Sequence, residues 1–105
     1  MSGKPKGRKF DQGKDEWYLM PWPALRKILR VLMYGAKKYE PFNWKHVSDP
    51  KTRYINATLR HLIAYAEGEE IDPESGHHHL AHAGCNILFL LSYQEFAKVI
   101  SEKVK

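Results

Sequence analysis

Three stretches of this chain place apolar residues three and four positions apart, and each is bounded by proline or glycine. That pattern constrains the fold more than any other feature. A period near 3.6 buries one side of an α-helix, whereas the two faces of a strand alternate every second residue. No strand-like alternation of useful length and no internal repeat is present in the sequence. The chain therefore reads as all-α: a bundle of three main helices with a long C-terminal helix.

Met20-Pro21-Trp22-Pro23 sets up the first helix, expected to start near Pro23, since proline is tolerated in the first turn. Leu25, Ile28, Leu29, Leu32, Ala36 and Tyr39 share one face, Arg26, Lys27, Arg30 and Lys37 the other, and Pro41 blocks continuation. A second helix is expected from about Asp49 or Pro50 to Glu67, with Asp49 as N-cap, Gly68 as stop, and Ile55, Leu59, Leu62 and Ala66 as its apolar stripe. The last helix should run from about His77, with Leu80, Ala83, Ile87, Leu88 and Leu91 as the main stripe and Cys85, Phe89 and Phe96 on a different side. A helix apolar over so much of its circumference is covered from more than one direction. Three helices in 105 residues do not bury that much apolar surface, which argues for a homo-oligomer with the long helices packed together.

The connecting segments follow from the same signals. Residues 1–9, with Lys4, Lys6, Arg8 and Lys9 among glycines and a proline, read as a flexible basic arm, and residues 10–105 as one domain. Phe10 to Trp17, turn-forming in its centre and aromatic at both ends, is expected to pack as an ordered loop; Glu40 to His46, with Phe42 and Trp44, is expected against the body of the protein. Hydrophobic residues at 43% and charged residues at 28% exclude a disordered chain. No apolar run approaches membrane-spanning length, and none follows the basic start as a signal-peptide core. A lone cysteine, Cys85, fits a reducing compartment, so the cytoplasm is expected. The net charge of +5 favours phosphorylated ligands and polyanions as partners, with nucleic acid a candidate for the basic arm.

The residues that carry chemistry gather between Asp72 and Asn86. At about 100° per residue, His79, His82 and Asn86 fall in one narrow arc of the last helix, with Tyr93 continuing the line and His77 and His78 outside it. Two imidazoles at i and i+3 can ligate one metal or one phosphate, and an amide one turn on can orient a ligand. The alternative is a hydrogen-bonded polar seam between helices. Just upstream, Asp72, Glu74 and Ser75 offer oxygen ligands before a helix N-terminus that attracts anions; equally, Asp72 and Ser75 cap a turn and a helix. On the second helix Arg53, Asn56, Arg60 and Glu67 share a face with small Ala57 and Ala64, suited to phosphate or to solvated ion pairs. His61 lies near Tyr54 and Tyr65 on that helix and meets the His79/His82 line if the two helices run antiparallel. His61, Asp72, His79 and His82 then form a metal set; otherwise His61 is a satisfied core histidine. Trp17, Trp22, Trp44 and Tyr39, with Lys14, Lys38 and Asn43, could stack on and hydrogen-bond a nucleobase, or serve packing alone. Cys85 reads as buried and inert.

Taken in order, Phe10-Asp11-x-Gly13-Lys14, Tyr34-Gly35-Ala36-Lys37-Lys38-Tyr39, Asn43-Trp44, Arg60-His61, Gly68-Glu69-x-x-Asp72-Pro73-Glu74-Ser75-Gly76 and His79-Leu80-Ala81-His82-Ala83-x-x-Asn86 resemble the phage-type dATP/dGTP diphosphohydrolase N-terminal domain family, which is MazG-like and MazZ-related. The resemblance covers nearly all the chain after the arm. It implies an all-α, oligomeric nucleotide-binding fold and, in family members that are enzymes, cleavage of a purine deoxynucleoside triphosphate to monophosphate and pyrophosphate. It carries roles onto Lys14, Arg60, His61, Glu69, Asp72, His79, His82 and Asn86. MazG-type enzymes hold Mg²⁺ with paired glutamates on one helix and a glutamate and aspartate on another. Here the corresponding helices offer His61, His79, His82 and Asn86, with acids only at the edges in Glu67, Glu69 and Asp72, which moves the expectation from Mg²⁺ or Mn²⁺ toward a softer cation or none.

The leading expectation is a diphosphohydrolase acting on dGTP or dATP with a divalent metal. His61, Asp72, His79 and His82 are its catalytic and metal residues. Lys14, Lys38, Asn43, Trp44, Arg53, Arg60, Glu69 and Asn86 are its substrate contacts. The first rival is a protein that sequesters a nucleotide in the same pocket without cleaving it; the second is a nucleic-acid-binding accessory module working through the arm and the basic face of the first helix.

Overall fold

The computed structural model describes residues 7, 8, 10 and 12–104, with side chains as far as residue 94. Most of the expected basic arm, and the side chain of Phe96, lie outside the described residues. The fold is all-α: α1 (Trp22–Lys38), α2 (Pro50–Ala66) and α3 (His79–Val104), with 3₁₀ turns at Trp17–Leu19 and Asn43–His46. α3 is the central element, and both α1 and α2 pack on it.

Local chemistry sets the ends. α1 starts at Trp22, one residue ahead of the expected Pro23, which still occupies the first turn. α2 begins at Pro50, but Asp49 makes no side-chain cap bond. A side chain caps an N-terminus from extended backbone, and Asp49 sits instead in the left-handed region at φ 47 and ψ 57. At its other end α2 stops in a Schellman motif. Gly68 takes φ 104; its N–H donates to Tyr65 O at 3.0 Å and that of Glu69 to Ala64 O at 3.0 Å. α3 starts at His79, two residues later than expected, because Ile71 and His78 pair in an antiparallel bridge that keeps His78 extended. His78 then caps the helix with its ring, Nδ1 accepting from Leu80 N–H at 3.0 Å.

The buried core lies between α1 and α3. Val31, Ala81 and Cys85 form it, with Ile28, Leu32 and Phe89 packed around them. A Cβ at position 84 would lie 2.7 Å from Ile28 Cδ1, so glycine permits the close approach of the two helices. Burial pushes the Cys85 thiol up to about 12, which leaves it protonated and unreactive. The face expected of α1 is borne out at Ile28 and Leu32 but not at its edge. Val31 is its buried residue, while Leu29 and Tyr39 are exposed.

The apolar stripes expected of the other two helices are largely open, with Ala83 of α3 their buried member. Ile55, Leu59 and Leu62 of α2 are exposed, with Leu59 at 50%, and so are Leu80, Ile87, Leu88 and Leu91 of α3, with Leu91 at 55%. α2 turns Tyr54, Ala57, Thr58, His61 and Ala64 inward instead. Periodicity identifies a stripe but not its cover, and here α3 has one side under α1, a second under α2 and a third open. Thr58 is buried without cost to its hydroxyl, which donates to Tyr54 O at 2.7 Å. The loop from Phe10 to Trp17 does not pack as expected: both terminal aromatics are exposed, Trp17 at 62%. Of the second linker, Trp44 does lie against the body, stacked on Phe89 at 5.0 Å, while Phe42 is exposed beneath Lys45.

Candidate functional site

α2 and α3 run antiparallel, so His61 of α2 meets His79 and His82 at the start of α3. The His61 and His82 rings stack with centroids 4.5 Å apart and planes within 5°. The third participant comes from the connection between the helices. Asp72 N–H donates to His77 O at 2.9 Å and Gly76 N–H to Asp72 O at 2.8 Å, closing a loop that faces His82. The Asp72 carboxylate accepts from Glu74 N–H at 2.9 Å through Oδ1, and Oδ2 lies 3.6 Å from His82 Nε2. That separation is proximity, not a hydrogen bond. His61, Asp72 and His82 each present a ligand atom, all within 4.8 Å of one another, a grouping able to hold a metal ion.

The partners decide where the protons sit. Ser75 Oγ accepts from His77 N–H at 3.2 Å and shares a hydrogen bond with His82 Nε2 at 2.6 Å, in which the hydroxyl can accept as well as donate. His79 is 4% exposed and is held on both ring nitrogens: Nε2 contacts Glu69 Oε1 at 2.7 Å and Nδ1 contacts His61 Nδ1 at 2.8 Å. Burial lowers the pKa of His82 to about 4, with the His61 ring as a further cause. Burial, then the neighbouring His79, lowers that of His61 as well, and Asp72 opposes both shifts only in part. Neutral imidazoles keep a lone pair for a cation, which is the state a metal ligand needs.

α1 reaches this cluster from the other side. Tyr34 meets His77 edge-on at 5.6 Å and His82 at 6.4 Å. Lys38 Nζ pairs with Glu74 Oε1 at 3.2 Å, and that bond, with Tyr39 beside it, raises the pKa of the amine. Sequence reasoning missed Tyr34, whose position on the edge of the first apolar face is no signal by itself. For Ser75 the sequence offers a ligand oxygen or a cap, and the hydroxyl serves the turn and His82 together.

The other expected site residues are dispersed. Glu69, expected at the substrate, has its carboxylate on His79. Arg53 is exposed and donates to Ser48 Oγ at 3.3 Å. Arg60 is exposed beside His61, Lys14 is exposed in the first loop, and Asn43 and Asn86 are half-buried. Among the described residues none of these except Glu69 hydrogen-bonds or ion-pairs with the histidines. Trp44 is spent on packing, between Phe89 and an edge-on Tyr93 at 5.8 Å. The N–H groups that open α3, expected to be free for an anion, are engaged: His79 with Glu70 O, Leu80 with the His78 ring, and Ala81 and His82 with His78 O.

Comparison with known proteins agrees with the motifs. Residues 4–103 match the family described as dATP/dGTP diphosphohydrolase, N-terminal. The chain belongs to that family. A dATP/dGTP diphosphohydrolase of Salmonella phage PMBT28 is 34% identical over 84 residues, covering 80% of this chain and 28% of the relative. The chain thus spans little more than a quarter of that protein's length. No solved structure matches it. No helix among its described residues is long and apolar enough to cross a membrane.

Proposed function

We propose that this chain binds a purine deoxynucleoside triphosphate, dGTP or dATP, and contributes to its cleavage to the monophosphate and pyrophosphate with a divalent cation. The observation that carries this reading is the convergence of His61, Asp72 and His82, from a helix, a turn and a second helix, within 4.8 Å. The donor set fits a divalent ion. Two imidazoles kept neutral by burial and one carboxylate suit Mn²⁺ or a softer ion better than Mg²⁺, which prefers oxygen ligands. Such a cation, when bound, would supply activation of water and neutralisation of phosphate charge.

The chain's own residues have separate tasks in this reading. Ser75 and Asp72 border His82 Nε2 and fix the orientation of that ring in the grouping. Arg60, exposed beside His61, and Lys38, at the end of α1 and paired with Glu74 on the turn carrying Asp72, bring positive charge to the phosphates, a role expected also of Lys14 and Arg53. Asn86, one turn beyond His82, orients the ligand. The open apolar surfaces of α2 and α3 support assembly with further copies of this chain, since a fully buried Leu or Ile contributes about 1.5–3 kcal/mol over an exposed one. Pyrophosphate release from dGTP and dATP, assayed across Mn²⁺, Zn²⁺, Co²⁺ and Mg²⁺, tests the reading. Absence of release across the whole panel would sink it.

A second reading is sequestration of the same nucleotide without cleavage. It is favoured by the single carboxylate in the grouping. Intact nucleotide recovered from heat-denatured, ligand-loaded protein would decide for it.

A further inference from the structure

We infer that Glu69 and His79 form a two-residue relay that fixes the tautomer of His61 and leaves its Nε2 lone pair free for a cation. This rests on the cation reading of the site but concerns residues outside the metal grouping. Two hydrogen-bonded pairs stand in series. A carboxylate can only accept, so the 2.7 Å contact with Glu69 Oε1 makes His79 Nε2 the donor. Above the ordinary imidazole range, a His79 with its proton on Nε2 has none on Nδ1, and the 2.8 Å contact with His61 Nδ1 then requires that His61 donate. With its proton on Nδ1, neutral His61 has an unprotonated Nε2, the nitrogen that no side chain occupies among the described residues.

The placement explains features the metal grouping does not use. His79 is the most buried histidine of the cluster at 4% exposure, and both its nitrogens are spoken for. Glu69 is delivered to it by the Schellman motif that ends α2: its N–H is the one that closes back on Ala64 O. His61 and His79 are therefore tied together from both ends of the connection. Outer partners of this kind orient ligating imidazoles and raise their basicity, and losing one costs about 10- to 100-fold in metal affinity.

The test uses the full chain. Long-range ¹⁵N–¹H correlation spectra of the metal-free protein at about pH 8, above the ordinary imidazole range, should show His61 with its proton on Nδ1 and His79 with its proton on Nε2. Glu69→Gln, whose amide can donate as well as accept, should mix the two tautomers of His61 and weaken Zn²⁺, titrated alone by calorimetry, by about 10-fold. Glu70→Gln removes the same charge from the neighbouring residue, which lies 3.5 Å from His78, and should leave affinity within about two-fold, below the range of an outer-partner effect. A wild-type His61 protonated on Nε2 overturns the relay, as does a Glu69→Gln variant with wild-type tautomers and affinity. Zn²⁺ binding and the expected tautomers without pyrophosphate release support the relay while removing the hydrolase reading.

Discussion

The seam between α2 and α3 has two ends of opposite chemistry. At one, Tyr54 packs on Phe89 at 5.1 Å, Phe89 stacks on Trp44, and the Tyr54 and Tyr93 hydroxyls both donate to Trp44 O. Both phenol hydroxyls there have a partner within the protein, and burial pushes the Tyr54 phenol up to about 12. At the other end, about two turns away on each helix, His61 and His82 stack at a similar spacing. Their surroundings leave acceptor capacity over, next to a carboxylate. One end holds the helices in register through packing; the other gathers a grouping able to hold a metal ion. Packing aromatics and packing imidazoles look alike in distance, and the lone pairs tell them apart.

The comparison breaks most directly at Asp72. Asp72→Asn keeps an acceptor for Glu74 N–H while removing the charge, and should reduce divalent-cation affinity by more than the roughly 10- to 100-fold loss typical of an outer partner, with little change in the denaturation midpoint. Calorimetric titration and urea melts read the two quantities separately. At the aromatic end the effects exchange places. Phe89→Ala should cost about 3 kcal/mol in stability, seen in urea unfolding, and leave cation affinity unchanged wherever the variant remains folded.

Acid sharpens the contrast. His82 has a folded pKa of about 4 against an ordinary 6.5, so between those values the unfolded chain binds more protons than the folded one. Stability should therefore be level above about pH 6.5 and fall as the pH drops toward about 4, with His61 adding to the same slope. His82→Gln should flatten that limb in urea melts taken across the range. A smaller loss is expected from Gly68→Ala, about 1 kcal/mol, because alanine resists the φ of 104 in the Schellman motif; the same melts measure it. Smallest of all is Lys38→Ala. The pair with Glu74 is solvent-exposed, and no measurable change in the midpoint is expected.

Much of the fold was legible in the sequence, and the reasons are local. Pro23, Pro41, Pro50 and Gly68 act through backbone geometry that neighbours cannot override, so three helices were found with boundaries correct to within two residues. The two exceptions are Asp49 and His78. Asp49 fails as a cap because of its own left-handed backbone, and His78, off the expected arc, caps α3 because a bridge to Ile71 holds it there. Of the site, the arc of His79 and His82 followed from helical spacing, and the meeting with His61 from the antiparallel packing on which it was made conditional.

The sequence by itself determined the secondary structure, the helix ends, and the His79–His82 arc, since each depends on interactions within a few residues. Only the tertiary structure decided which faces meet. α2 turns Tyr54 and His61 toward α3 and leaves Ile55, Leu59 and Leu62 outside, because the side chains of α3 opposite it are aromatic, imidazole and small. Hydrophobic period marks a face for burial without naming its cover. The same holds for Glu69, Ser75 and Tyr34, whose parts in the cluster come from a turn closed by backbone hydrogen bonds and from a helix packed across it.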